Sequence, residues 1–361
     1  MSSKQILKNT IVVNNKVTFV IFVGPSYEIN PKYKQSNSNN PEQRAMNIIS
    51  KVMQSKSFTV VETIEKEYIE SNAILSLIHS PEYINVLINA YETAPQNDIH
   101  FSHGNIVECF YHQNRKDVSE ITLRKLSPYR QLPFFTSDDI PFYKNLVQEL
   151  EYDLALVRES VKAVKTNLNS YALTIHPGHH AGKLMGGYCY INTVGYAVSL
   201  LNTHEKIAVL DIDYHFGDGT RYCLNKMGYN TFFASVHMDT MYDYPYGIGT
   251  DEENTNRAKN YIIPPKTEWE GYEVQLTHAL DDIQKFNPKY LIISLGLDTL
   301  GGDDESNVYG GINLTIDDFK SMGKVISDKI SVPKLIIQEG GYKMDSLGEA
   351  CVNFLEGMFT H

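Results

Sequence analysis

The chain has 361 residues, 42% of them hydrophobic, and a formal net charge of -11. That length supports a substantial core, while the acidic balance excludes the clustered Lys and Arg that hold a phosphate backbone, so no nucleic-acid partner is expected. No apolar run approaches the roughly 20 residues that span a bilayer, so no membrane association is expected either. The four cysteines, Cys109, Cys189, Cys223 and Cys351, are scattered without CxxC spacing, and the start shows no signal-peptide pattern, which together point to a cytoplasmic location.

The apolar run at 17–23 reads as a first strand. A polar stretch at 30–40 separates it from a helix that carries Ala45, Ile48, Ile49, Val52 and Met53 on one face. A short strand follows at 58–61. Ser80-Pro81 then opens another helix, a capping residue with proline in the first turn, which continues through Ile84, Leu87 and Ile88. From about 94 to 141 the chain is aromatic, polar and proline-containing without a clear period. This marks a loop insertion, either a substrate wall or subunit contact or a surface excursion packed on its own aromatics. From Tyr143 onward the pattern turns regular, with a helix to about 168 and then strand, loop and helix repeating through Phe354. The predicted fold is α/β: one domain over 1–361, built on an open, mainly parallel sheet flanked by helices.

Four of the later apolar runs end in polar clusters. The run at 171–175 delivers His176-Pro-Gly-His-His-Ala181, and 207–210 delivers Asp211-Ile-Asp213-Tyr-His215. The run at 290–296 delivers Asp298, and 334–338 delivers Glu339-Gly-Gly-Tyr342. In open parallel sheets chemistry collects beyond the carboxyl ends of the strands, so these clusters are expected to converge in one crevice.

Asp213 and His215, separated by one residue at a strand end, are expected to point to the same side and can hold one cation. With Asp298 they make a three-ligand site that leaves a position for water, suited to Zn2+, with Fe2+ or Co2+ as alternatives. Taken alone, Asp-x-Asp-x-His also fits a capped helix start with a buried histidine. His179 and His180 would lie beside that water as proton acceptor and donor, with Asp211 serving His179 and Asp218 serving His180. A His-His pair in isolation is more often a surface loop, but Gly178, Ala181 and Gly182 indicate close backbone approach. Tyr342 after its glycine pair is placed to donate to a polarised carbonyl oxygen.

The motifs Pro177-Gly-His-His-Ala181, Gly186-Gly-Tyr-Cys-Tyr-Ile-Asn192, Asp211-Ile-Asp-Tyr-His215, Ser235-Val-His237, Ser294-Leu-Gly-Leu-Asp-Thr299 and Glu339-Gly-Gly-Tyr342 resemble those of the arginase/histone deacetylase superfamily, and within it the acetylpolyamine amidohydrolases. The resemblance covers roughly 41–358. It implies zinc on Asp213, His215 and Asp298, His180 as general base and acid, His179 as electrostatic partner and Tyr342 as the carbonyl-polarising residue. It further implies a structural K+ at Asp211, Asp213, His215, Ser235 and Val236, and a tunnel lined by Gly187 and Tyr188 with Tyr244 or Tyr246 opposite. Seven residues beyond Asp298 stands Glu305, either a gate that attracts an ammonium group or part of a solvated acidic loop, Asp303-Asp304-Glu305. Besides Glu305, two further departures from the pattern stand out. Phe216 replaces a second histidine, with altered packing expected, and Ile175-His176 replaces an Arg-Pro, with His176 expected to be structural.

The expected function is zinc-dependent removal of acetyl from a small cationic acetylated amine, foremost an acetylpolyamine. The resemblance also implies a homodimer through the 94–141 insertion. The alternatives are a protein acetyl-lysine deacetylase, an arginase-like ureohydrolase with two manganese ions, and a non-catalytic binder of acylated ligands.

Overall fold

The computed structural model describes residues 19–23, 41–55, 58–62, 65–93, 106–108, 140–143, 145–201, 204–306 and 310–359. Eight parallel strands form its sheet: β1 (Phe19–Val23), β2 (Thr59–Glu62), β5 (Asn169–Leu173), β6 (Ile207–Asp211), β7 (Thr231–Met238), β8 (Ala258–Ile263), β9 (Tyr290–Leu295) and β10 (Lys334–Gln338). Their spatial order is β2-β1-β5-β10-β9-β6-β7-β8. β3 (Ile106–Glu108) and β4 (Pro141–Tyr143) pair antiparallel outside this sheet. Of the expected 94–141 insertion only residues 106–108, 140 and 141 are described; the rest lies outside the described residues.

Strands covered on both faces need apolar side chains in both directions, and these strands supply them. On β10, Leu335 and Ile337 enter one core and Ile336 the other; on β9, Ile292 opposes Leu291 and Ile293 in the same way. The first core is closed by α3 (Pro81–Thr93), α4 (Leu146–Lys165), α5 (Thr193–Leu201) and α6 (Asp218–Met227). The second is closed by α1 (Pro41–Gln54), α7 (Trp269–Phe286), α8 (Ile316–Lys329) and α9 (Met344–Phe359). A one-turn α2 (Leu75–Ile78) precedes α3.

Several boundaries differ from the sequence reading by one to three residues, two of them on the approach to the paired histidines. α4 ends at Lys165, three residues early, because Asn167 takes a left-handed φ of 64° and turns the chain into β5. β5 itself ends at Leu173, after which Thr174 N bonds back to Ala172 O and the chain leaves the sheet toward the paired histidines.

Each of the four polar clusters follows one of the strands β5, β10, β9 and β6, and those four are consecutive in the middle of the sheet. Their carboxyl ends are held level by register, with Asp211 opposite both Ser294 and Ser235, and Gln338 opposite Leu295. Segments distant in sequence are thus delivered to one edge.

Candidate metal centre and acid–base site

Ligand atoms of Asp213, His215 and Asp298 all lie within 4.8 Å of one another. His215 Nδ1 is 3.4 Å from Asp213 Oδ1 and 3.5 Å from Asp298 Oδ2. The backbone wraps tightly round the carboxylates: Gly340 N donates to Asp213 Oδ2 at 2.9 Å and Tyr214 N to Asp298 Oδ1 at 3.0 Å. Asp298 Oδ2 is buried with no hydrogen-bond partner. Burial, and then the charge of Asp213, push the Asp298 carboxyl well above the ordinary carboxylate range. His215 rises to about 10 against the effect of burial, because the carboxylates of Asp213 and Asp298 both lie beside its ring. Two buried carboxylates, one with an unpartnered oxygen, and one imidazole form a donor set short of positive charge, which a divalent cation fits. Among the described residues this is the one such group of three potential ligands.

His179 and His180 pack ring to ring at 4.1 Å beside this group. His179 Nδ1 donates to the buried Asp211 Oδ2 at 3.2 Å, and His180 Nδ1 donates to the partly exposed Asp218 Oδ1 at 2.7 Å. Burial lowers both imidazoles, and the balance then differs. Asp213, Asp211 and Glu339 lift His179 well above its ordinary range. Burial and the charge on His179 take His180 down to about 4 despite Asp218. With Nδ1 of His180 committed to Asp218, its Nε2 is the free acceptor.

The pair is held from behind by Glu339. That fully buried carboxylate accepts from Gly178 N at 2.6 Å and His179 N at 3.1 Å. On the other flank Gly187 presses on the His180 ring: a Cβ there would meet His180 Cδ2 at 2.6 Å, and the residue has φ +50°. Only glycine fits that approach.

Tyr342 is 7% exposed. Burial first, with the charges of Asp298 and others, raises its phenol well above 10, leaving a neutral O–H donor, and the Arg44 guanidinium lies 5.7 Å from its ring. Tyr188 faces Tyr342 at 6.0 Å, and Tyr244 stands edge-on to His180 at 4.8 Å. Tyr244 thus lines the site directly, whereas Tyr246 lies outside it, perpendicular to Tyr244 at 6.3 Å and 64% exposed. Asp243 fixes this wall, accepting from Tyr244 N at 2.8 Å and from the Tyr214 hydroxyl at 3.1 Å.

Ser235 lies beside Asp211 on β7, and its hydroxyl hydrogen is directed to His237 Nδ1 at 2.9 Å. Val236 follows it on that strand, fully buried. Glu305 is half-buried on the turn after Asp298, its N–H donated to Asp303. Phe216 is buried against His237 at 4.9 Å and Phe233 at 6.4 Å. His176 sits in a carboxylate-rich cage, with Nδ1 on Asp153 at 2.8 Å and Nε2 2.6 Å from the Tyr143 hydroxyl.

Sequence reasoning gave no role to Glu339, Asp243, Tyr214 or Asp303, all of which bond to this site. Glu339 alone carried a signal, as a carboxylate ending an apolar strand next to a Gly-Gly turn.

Fold and site define a class, a parallel α/β protein with a carboxylate–imidazole group at its strand ends that could hold a metal ion, the one such group among the described residues. Within that class the chain belongs to the histone deacetylase domain family, which it matches over residues 38–358. It is 35% identical over 197 residues to acetylpolyamine amidohydrolase 1 of Pseudomonas aeruginosa, covering 52% of this chain and 55% of that protein. Histone deacetylase 4 of Caenorhabditis elegans is 30% identical over 52% of this chain and 23% of its own length. The matched part therefore spans about half the length of the first of these relatives. The fold superposes on an acetylpolyamine aminohydrolase from Burkholderia pseudomallei with a TM-score of 0.74 at 21% identity, covering 94% of this chain and 98% of the other.

Proposed function

We propose that this protein is a metal-dependent amidohydrolase that removes acetyl from small cationic acetylated amines, foremost acetylpolyamines. The observation that carries the reading is the clustering of Asp213, His215 and Asp298 beside an Asp218-bound His180. The acetylpolyamine amidohydrolase among the relatives supports the substrate class. Zn2+ held by Asp213, His215 and Asp298 would supply Lewis acidity to the amide carbonyl and an acidified water.

His180 takes the proton of the attacking water on Nε2 while Asp218 holds Nδ1. The water oxygen bonds to the carbonyl carbon, and Tyr342 donates its hydroxyl to the carbonyl oxygen as charge builds there, a contribution of about 3 kcal/mol. His180 then returns the proton to the amide nitrogen, the C–N bond breaks, and the acid passes its remaining proton to the amine, so that acetate and an ammonium product leave. His179, paired with Asp211, supplies fixed positive charge beside these steps. Tyr188, Gly187 and Tyr244 line the slot for the aliphatic chain, with Tyr246 and Glu305 further out toward the charged end.

Structural K+ would be held by Asp211, Asp213, His215, Ser235 and Val236. The reading is supported by the Ser235 hydroxyl, whose hydrogen faces His237 and whose lone pairs are left for a cation. The insertion is assigned to a homodimer contact and the whole 1–361 chain to one domain. No described helix is long and apolar enough to cross a membrane, and the buried, unpaired Cys189, Cys223 and Cys351 are compatible with the cytoplasm.

A second reading, deacetylation of acetyl-lysine in proteins, is favoured by the match to a histone deacetylase. Comparing kcat/KM for N-acetylputrescine, N8-acetylspermidine and an acetyl-lysine peptide separates the two. A tenfold peptide preference overturns the polyamine assignment.

A further inference from the structure

We propose that Asp303 is a positioning residue for the reaction, one that fixes the Tyr342 phenol relative to the metal ligands. The proposal rests on the reading of Tyr342 as the carbonyl donor. Asp303 opens an acidic run that looks solvated in sequence, yet its carboxylate is 1% exposed while its neighbour Asp304 is exposed. Its Oδ2 accepts from Tyr342 N at 2.6 Å and Lys343 N at 2.9 Å, and its Oδ1 accepts from Glu305 N at 3.1 Å. One buried carboxylate therefore anchors the backbone of the phenol-bearing residue itself.

The turn that carries Asp303 is tied in turn to the metal ligand. Ser306 Oγ donates to Asp298 O at 2.6 Å, Asp303 N to Leu300 O at 3.1 Å, and Lys343 Nζ to Gly301 O at 2.7 Å. From the other side, Gly340 N is held by Asp213 Oδ2 at 2.9 Å. The short segment 340–343 is thus pinned at one end by a ligand and at the other by Asp303. Gly341, at φ +126°, supplies the pivot between the two anchors. A carboxylate is an acceptor at both oxygens and can serve all three N–H groups. An asparagine offers one acceptor oxygen and turns its NH2 toward at least one N–H, so Asp303→Asn must displace part of this backbone.

A capping role for α9 alone would give a stability loss without a specific tie to Tyr342, and a double-mutant cycle separates the two. Wild type, Asp303→Asn, Tyr342→Phe and the double variant are compared for kcat and KM on N-acetylputrescine, with zinc content and Tm measured on each. The expected result is that Asp303→Asn lowers kcat by about 30- to 100-fold, as for a misplaced catalytic group, with KM within about threefold. Zinc content stays unchanged, and in the Tyr342→Phe background the same change lowers kcat by less than about threefold. Asp303→Ser carries the same cycle should the asparagine variant not fold. A wild-type kcat in Asp303→Asn, or an equal loss in both backgrounds, overturns the proposal while leaving the functional reading intact. Wild-type protein that hydrolyses no acylated amine overturns the functional reading, and the proposal with it.

Discussion

Placing a methyl group on Gly340 tests the metal centre without substituting a ligand. A Cβ built there would lie 2.4 Å from Asp298 Oδ2, 2.8 Å from Asp213 Oδ2 and 3.1 Å from Asp298 Cγ. The nearest approach is about 1 Å short of ordinary contact, and both atoms struck are carboxylate oxygens of candidate ligands. Coordination distances tolerate only about 0.2 Å, so relief of the clash must come from moving one or both carboxylates out of ligating position. Changes to groups that merely orient ligands cost about 10- to 100-fold in metal affinity; here the ligands themselves move, so Gly340→Ala is expected to weaken zinc binding by at least about 100-fold. The overpacking itself costs about 1–3 kcal/mol of stability. Gly228→Ala serves as the control. Gly228 ends α6 at φ +66° with nothing within 4 Å of a Cβ, so its substitution costs about 1 kcal/mol and leaves zinc affinity unchanged. Zinc competition against a chromophoric chelator, with Tm recorded in parallel, reads both variants. Folded Gly340→Ala with zinc affinity within about threefold of wild type would refute the assignment of Asp213 and Asp298 as ligands.

Tyr342→Phe should lower kcat by about 100- to 1,000-fold with zinc content and Tm retained, whereas a non-catalytic binder would have no turnover to lose. Tyr244→Ala, which removes the wall against His180, should raise KM for N-acetylputrescine by about 10-fold, the scale of a lost aromatic contact; an unchanged KM removes Tyr244 from the substrate slot. His79 supplies a pH test of the fold. It is buried, donates from Nδ1 to Gly182 O and accepts at Nε2 from Asn192 N, and burial takes it from 6.5 down to about 3. Between those values the unfolded chain binds the extra proton, so stability is full above pH 6.5 and is lost as pH falls toward 3, by about 1.4 kcal/mol per unit at most. Urea unfolding of His79→Gln between pH 7 and 5 should show a flatter pH dependence than wild type, and an identical slope would show that His79 does not carry the effect.

What was legible in sequence was what short spacing encodes. Asp213 and His215 sit two apart just past an apolar run, although β6 ends at Asp211, so that the turn after the strand and not strand periodicity brings them together. The runs before His176, Asp211, Asp298 and Glu339 announce four strand ends. That these strands are neighbours in the order β5-β10-β9-β6 is a long-range fact that no local pattern contains. The supporting carboxylates were hidden for a related reason. Asp303, Glu339 and Asp243 act by accepting backbone N–H groups from Tyr342, His179 and Tyr244, and a backbone N–H has no residue signature. Asp303 and Asp304 are the same residue type side by side, one buried and one exposed, and only the tertiary path of the chain separates their roles. The wall shows the same limit: either Tyr244 or Tyr246 could face the histidines until the chain's turn at 243–246 sends Tyr244 inward and Tyr246 out.

X-ray absorption spectroscopy on the zinc-loaded chain decides whether Asp213, His215 and Asp298 hold the metal. One zinc per chain is expected, with a single imidazole nitrogen and otherwise oxygen neighbours at about 2.0–2.2 Å, and with loss of that stoichiometric site in Asp298→Ala. Zinc bound through sulfur, spread over several surface histidines, or retained at full occupancy in Asp298→Ala would contradict that assignment.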